Sequence, residues 1–358
     1  MKEIILTINP GSTSTKIAVF NGEECIFTIN LSHGVEELST LHTFEEHYEF
    51  RKNIIIQELD KAGISINDIK IIVGRGGVIK PLPSGVYAIN DAMKEDMKKG
   101  WENSKHGANL AGLIAEEMSK NIPGARAMIA DPPIVDELDD VARLTGHPDF
   151  SKRTIFHALN QKAISRKHAN EKGEVYENLN LIVVHMGGGI SIGAHRKGKV
   201  VDVNNCLDGD GPFSPERSGS LPVGDIVKLC FSGTATHEEV RKKLVGQGGM
   251  IAYLGTNDAR EVEQMISEGN KKAELVYEAM IYQVSKDIGA MFTVLKGEVD
   301  AILLTGGIAY SSRVVERIRE RTGKLAEIYV YPGEDEMGAL AMNGLLVLRG
   351  NATVKEYK

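Results

Sequence analysis

The chain has 358 residues, 42% of them hydrophobic and 25% charged, and a formal net charge of −7 at pH 7. That length makes two domains the default for a soluble globular protein, and that charge argues against nucleic acid as the main partner while leaving room for a local phosphate pocket. No apolar run approaches the roughly 20 residues that cross a bilayer. "MKEIILTI" enters a strand at once, where a leader would begin with a cationic segment. The three cysteines (Cys25, Cys206 and Cys230) have no CxxC spacing. We therefore expect a cytoplasmic α/β enzyme with no structural zinc, no membrane partner and no nucleic-acid partner.

In chain order, residues 3–32 read strand, polar turn, strand, "NGEE" turn, strand, a three-stranded antiparallel meander. "TFEEHYEFRKNIIIQELDKAG" has amphipathic spacing and a glycine stop, so it predicts a helix. A strand over 69–77, a helix over 103–120, a strand over 125–133 and a helix over 157–173 follow. Residues 179–205, "LNLIVVHMGGGISIGAHRKGKVVDVNN", repeat the meander, the mark of a duplicated domain. A long helix over 273–297, the strand "VDAILLTGGIA" and a closing helix over 334–350 complete the chain. With no low-complexity linker, the boundary is expected within 160–180. That gives a first domain of 1–165 and a second of 166–337, with the helix from about 338 packing back on the first.

The two meanders turn with different chemistry. "NPGSTSTK" offers Ser12 and Ser14, whose hydroxyls suit phosphate or water-bound Mg²⁺, and Lys16 to neutralise charge. "HMGGGIS" offers Gly187, Gly188 and Gly189, whose successive amides form an anion cradle without a cation. Either turn alone is also what an ordinary tight hairpin looks like. Two at equivalent points of a repeat favour a pair of phosphate clamps. A third glycine turn, Gly306-Gly307, ends an apolar strand where nucleotides approach open sheets, though a plain strand-to-helix turn fits it as well.

Arg75 follows an apolar strand between glycines, and Arg217 lies in the Pro/Gly-rich "GDGPFSPERSGSLP". Such settings suit rigid recognition of carboxylate or phosphate. Asp131 ends a strand before Pro-Pro, a common place for metal-binding aspartates, whereas Asp136, Glu137, Asp139 and Asp140 read as the solvated first turn of a helix. Glu334, Asp335 and Glu336 read as helix-capping acids that leave a Mg²⁺ ligand open. His185, just before the glycines, is placed either to donate to a phosphate oxygen or to sit in the core. No HExxH, GxSxG, GxxxxGK[ST] or helix-opening GxGxxG occurs, which removes zinc-protease, hydrolase, P-loop and dinucleotide readings. What remains is phosphate gripped from two duplicated domains, the layout of a phosphotransferase.

"TINPGSTSTK", "GRGG", "ADPPIVDE", "VVHMGGGISI", "DGDGPFSPERSG" and "LLTGGIA" occur here in the order found in the butyrate kinases. This resemblance spans the chain and identifies it as similar to that branch of the acetate kinase family, within the larger group of actin, sugar kinases and heat-shock ATPases. It implies duplicated actin-like ATPase (ribonuclease H-like) α/β domains around a nucleotide cleft. It further implies ATP/ADP and Mg²⁺ as cofactors, a short-chain fatty acid as substrate, and a homodimer or larger homo-oligomer. By residue it implies a first phosphate loop of Asn9, Ser12, Ser14 and Lys16, and arginines Arg75 and Arg217 on the acyl carboxylate and the transferring phosphoryl group. Asp131 is implied for catalysis and metal positioning, His185 with Gly187–Gly189 for the second phosphate loop, Gly306 and Gly307 for adenosine, and Glu336 for Mg²⁺, with Asn9 and Asp131 as its companions. One position departs: acetate kinases carry "FHGTSH", whose second histidine stabilises the phosphoryl group, and this chain reads "FHALNQ", ending in Gln161. Either Gln161 donates instead or His157, one helical turn away, takes the role.

The expected reaction is reversible, in-line transfer from ATP to butyrate, giving butyryl phosphate. Other short or branched acids, and a non-transferring actin-like ATPase module, are the competing readings.

Overall fold

A computed structural model describes residues 2–11, 13–100 and 107–358. Ser12 and the first four residues of the helix expected from 103 lie outside the described residues. In chain order the elements open with β1 (Ile4–Pro10), β2 (Ser14–Asn21), β3 (Glu24–Ser32), α1 (Val35–Ser39), α2 (Phe44–Lys61), β4 (Ile69–Arg75), β5 (Val86–Ala88), α3 (Asp91–Lys99), α4 (Leu110–Ser119) and β6 (Arg126–Ala130). They continue with α5 (Asp140–Arg143), α6 (Ala158–Lys172), β7 (Asn180–Met186), β8 (Ile190–Arg196), β9 (Lys199–Val203), α7 (Val223–Phe231), α8 (His237–Leu244) and α9 (Met250–Leu254). The chain ends with α10 (Ala259–Ser267), α11 (Lys271–Val294), β10 (Ala301–Gly306), α12 (Ser312–Thr322), β11 (Ile328–Pro332), α13 (Glu336–Leu348) and β12 (Val354–Lys355).

Two compact units result, one of residues 1–135 with 335–358 and one of residues 136–334. The first holds a seven-stranded sheet ordered β12-β5-β6-β4-β1-β2-β3, the second a five-stranded sheet ordered β11-β10-β7-β8-β9. The run β6-β4-β1-β2-β3 matches β11-β10-β7-β8-β9 strand for strand. In each, three antiparallel strands are followed by two parallel ones. The repeat in the sequence is thus a repeat in topology, because alternating strands with short turns fold locally while the parallel partners need helical crossovers.

In the first unit Leu6, Ile8, Ile17 and Val19 pack with Ile55 and Leu59 of α2 and Leu110, Ile114 and Met118 of α4. The opposite face takes α13, whose Gly344 lies so close to Val73, Ile5 and Ile71 that a Cβ there would come within 2.9 Å of Val73. In the second unit Ile182, Val184, Ile192, Ile302 and Leu304 pack with Met280, Ile281, Val284 and Ile288 of α11. Its other face joins Leu181, Val183 and Leu303 to Ala169 and Tyr176. Each buried aliphatic side chain of this kind contributes about 1.5–3 kcal/mol.

The structural boundary falls after Val135, some thirty residues before the one set from sequence. The reason is packing: α6 follows the strands of the first unit in the chain but lies on β7 and β10 of the second. The acidic stretch also differs from expectation. Only Asp140–Arg143 is helical, and Glu137 is no solvated helix acid, because its carboxylate pairs with the buried Lys162 at 2.7 Å and accepts from the Val200 amide at 3.0 Å. Asp136 likewise pairs with Arg143 and Asp139 with Arg196.

Candidate active site

In the first unit the carboxyl ends of β1, β4 and β6 lie side by side, with Ile8 opposite Gly74 and Arg75 opposite Ala130. Adjacent strands are about 4.8 Å apart, so Asn9, Arg75 and Asp131 stand in a row along one sheet edge. Glu336, the first residue of α13, reaches this row. Asn9 Nδ2 donates to Glu336 at 2.5 Å, and Arg75 Nη1 pairs with Glu336 at 3.1 Å and donates to Asn9 Oδ1 at 3.4 Å. A helix N-terminus favours that carboxylate. Arg75 keeps a third of its side chain exposed, so it is anchored on one side and open on the other.

The glycines after Arg75 are fixed by packing. A Cβ on Gly76 would fall 2.4 Å from Pro132, and one on Gly77 would fall 1.8 Å from the Asn109 amide oxygen. The loop bearing Arg75 is thereby pinned to the turn bearing Asp131. Asp131 is buried and has φ +39, a conformation costing a non-glycine residue about 1–3 kcal/mol. Ser84 Oγ (2.6 Å) and the Gly85 amide (2.8 Å) both donate to Asp131 Oδ1. The strain and the two donors fix one carboxylate orientation.

Lys16 lies opposite Asn9 in the β1–β2 hairpin, on the same face of the sheet. It is exposed and forms no ion pair among the described residues. Gly11 closes the turn by donating to the Ser14 carbonyl at 2.8 Å, and Arg51, buried in α2, donates to the Gly11 carbonyl at 3.2 Å. Sequence reasoning missed Ser84 and Arg51, since both act on residues far along the chain.

In the second unit the turn Gly187–Gly189 joins β7 to β8, closed by the Gly187 amide donating to the Gly189 carbonyl at 3.0 Å. The Ser214 hydroxyl donates to the Gly188 carbonyl at 2.6 Å. Arg217 packs against this turn, and a Cβ on Gly189 would meet its Nη1 at 2.0 Å. Arg217 Nη1 donates to the Cys206 carbonyl at 2.8 Å. Its Nε is buried without a hydrogen-bond partner, and among the described residues the guanidinium makes no ion pair. A partly buried cation whose Nε has no partner, beside a glycine turn, has the chemistry to receive an anion. Burial pushes the neighbouring Cys206 thiol up to about 11, against the opposing pull of Arg217.

His157, at the entry to α6, stacks on His185 with ring centres 3.8 Å apart. His157 Nδ1 lies 2.9 Å from Ser191 Oγ, and His185 Nδ1 lies 2.8 Å from Asn160 Oδ1. His185 is buried, with Nε2 3.4 Å from Glu334. Gln161 is wholly buried with both ends committed. Its Nε2 donates to Ser191 Oγ (2.9 Å) and Ser191 O (3.1 Å), and its Oε1 lies 2.9 Å from His195 Nε2. Gly306 has φ +88, and a Cβ there would lie 2.3 Å from the Met186 carbonyl, whereas space opens beside Gly307.

The duplicated sheets, each with its anion-suited turn, define the class: the protein has the duplicated actin-like ATPase fold. The family model of the acetokinase family matches residues 150–335. Butyrate kinase 1 of Clostridium acetobutylicum is 52% identical to this chain over 354 residues, 99% of both chains. A probable butyrate kinase of Bacteroides thetaiotaomicron is 53% identical over 354 residues, again 99% of both. Among solved structures, the acetate kinase of Porphyromonas gingivalis shares the fold with a TM-score of 0.80, at 19% identity, over 97% of this chain and 100% of that one. The chain belongs to the acetokinase family, a family of phosphotransferases.

Proposed function

We propose that this protein transfers the γ-phosphoryl group of ATP to butyrate, reversibly, giving butyryl phosphate and ADP. The observation that carries this reading is Arg217, a partly buried guanidinium with no counter-ion, held against a triglycine turn. The end-to-end likeness to butyrate kinases favours butyrate over other acids.

The acceptor carboxylate is already ionised at pH 7, so the reaction needs no general base. The protein's work is to place the reactants in line and to neutralise charge on the transferring group. Arg217 and the Gly188 and Gly189 amides take the transferring phosphate, and His157 donates to one of its oxygens. Asn9, Ser12, Ser14 and Lys16 form the first phosphate loop, and Arg75, anchored by Glu336, holds the acyl carboxylate. His185 supports His157 by stacking, and Gly306 and Gly307 lie against adenosine. Gln161, committed at both ends, does not touch the substrate in this reading.

The oxygens at the first sheet edge fit magnesium: the Glu336 carboxylate and the Asn9 amide oxygen lie together, both contacted by Arg75, with Asp131 two strands away. No cluster of three or more acidic, histidine or cysteine ligands occurs among the described residues, as suits an ion that keeps its waters and takes most ligands from phosphates. When bound, Mg²⁺ would offset charge on the phosphates.

We also infer a homo-oligomer. In its support, α7 buries no residue while Val223, Val227 and Phe231 are 75%, 50% and 86% exposed, and a nine-residue helix is marginal in water without a partner. A cytoplasmic site fits three free cysteines, and no helix of the described residues is long and apolar enough to cross a membrane. Trapping acyl phosphate as hydroxamate, with ATP and a panel of C2 to C5 acids, tests the reading. Butyrate should give the highest kcat/KM, with overlap between neighbours because a methylene is worth only about 1–3 kcal/mol. ATP hydrolysis with no hydroxamate from any acid would leave an ATPase module instead.

A further inference from the structure

The helix α6 and its N-cap residue present His157, Gln161 and Ser165 at four-residue spacing, and β8 presents Ser191, Gly193 and His195 at two-residue spacing. Each spacing keeps its residues on one face, and the two faces meet. A Cβ on Gly193 would fall 2.5 Å from Gln161 Oε1, so the glycine makes room for the bond between Gln161 and His195.

The polarity of this row can be read from groups that have only one role. The Ser191 carbonyl can only accept, so the end of Gln161 that lies 3.1 Å from it is the NH₂ end. Gln161 Oε1 therefore faces His195 Nε2 and can only accept, which puts the proton of a neutral His195 on Nε2. His195 Nδ1 is left as an acceptor, 2.7 Å from the Tyr176 hydroxyl, which donates to it. Burial, followed by the charges of Lys162 and Arg166, holds His195 well below the usual imidazole range, consistent with that neutral form. At the other end Gln161 Nε2 donates to Ser191 Oγ, so the serine proton turns to the remaining partner, His157 Nδ1, at 2.9 Å. A neutral His157 then carries its own proton on Nε2.

We propose that Tyr176, His195, Gln161 and Ser191 form a one-way hydrogen-bond chain that fixes His157 as the Nε2–H tautomer, ready to donate to a phosphoryl oxygen. The first four are positioning residues and His157 is the catalytic one. The assignment of His157 rests on the function proposed above, whereas the tautomer is a property of the protein alone. Gln161 thus serves the phosphoryl group through His157, not by touching it.

The test uses the full chain labelled with ¹⁵N-histidine, with the His157 signals identified by their loss in H157Q. Long-range ¹H–¹⁵N correlation should show His157 Nε2 as the protonated nitrogen and Nδ1 as the bare one. In Q161E an ionised carboxylate, verified by its ¹³C shift, can only accept. Ser191 must then donate to that carboxylate and accept from His157, so the proton should move to Nδ1. The kcat for acyl phosphate should fall about 100-fold or more, as wrong-tautomer histidines do, with KM for ATP within about twofold. S191A, which removes the donor to Nδ1 without adding charge, should give mixed tautomers. An Nδ1–H tautomer in the wild type, or an unchanged tautomer in both variants, overturns the chain. If instead the tautomer behaves as stated but H157Q keeps full kcat, the chain stands and the role of His157 under the proposed function falls.

Discussion

Replacing Arg217 by alanine removes the guanidinium that packs on the Gly187–Gly189 turn. The expected loss can be worked from electrostatics. A unit charge about 4 Å from the developing charge, at an effective dielectric of about 20, is worth about 4 kcal/mol. At about 1.4 kcal/mol per decade that is roughly a 10³-fold fall in kcat, in the range of arginine fingers. The loss should fall on kcat, because the charge to be neutralised is greatest in transit. R217K should recover only part of it, since a lysine lacks the second arm that donates to the Cys206 carbonyl. Gly189→Ala checks the geometry independently, because its Cβ would fall 2.0 Å from Arg217 Nη1 and displace the guanidinium. Initial rates of hydroxamate formation at saturating ATP and butyrate give kcat, and circular dichroism verifies the fold. A loss below tenfold in R217A, or one confined to KM, would refute the reasoning.

Asp131→Asn keeps the volume but removes the charge from a carboxylate held by Ser84 and Gly85; we expect crippled turnover with an intact fold, and near-normal rates would make Asp131 structural only. His195 should make the fold acid-sensitive. Its folded pKa is depressed by burial, so the unfolded chain takes up a proton near pH 6.5 while the folded chain does not. The His195 contribution should then be level above about pH 6.5 and fall by about 1.4 kcal/mol per unit below it, beside same-sign contributions from His33, His47 and His168; urea midpoints of wild type and H195Q at pH 7 and 5.5 isolate it, and a slope that H195Q leaves unchanged would contradict it. Cys206, buried and pushed up to about 11, should resist iodoacetamide at pH 8 in the native protein. Exposed Cys25 and Cys230 should react, and mass spectrometry showing native labelling at Cys206 would contradict its burial.

The meanders were legible because strand alternation and short glycine turns are local signals, and the glycine, lysine and arginine positions stood out for the same reason. The long helices α2, α6 and α11 carried readable starts and stops. α12 was not expected from the sequence, because a heavy load of charge masks the spacing of Val314, Val315 and Ile318, which are buried. The short β5 and β12 pair only with distant segments and have no pattern of their own. Why Gln161 stands where acetate kinases have histidine was not readable from "FHALNQ". Its meaning lies in Ser191 and His195, on a strand some thirty residues away. The positive φ of Asp131 and the pairing of Glu137 with Lys162 are likewise tertiary, set by groups that no local spacing reveals.

A crystal structure with a non-hydrolysable ATP analogue and Mg²⁺ would locate the phosphates. Phosphate density is expected against the amides of Gly188 and Gly189, with an oxygen within hydrogen-bond distance of the Arg217 guanidinium. Ordered phosphates lying away from that turn, with Arg217 Nε still without a partner, would contradict it.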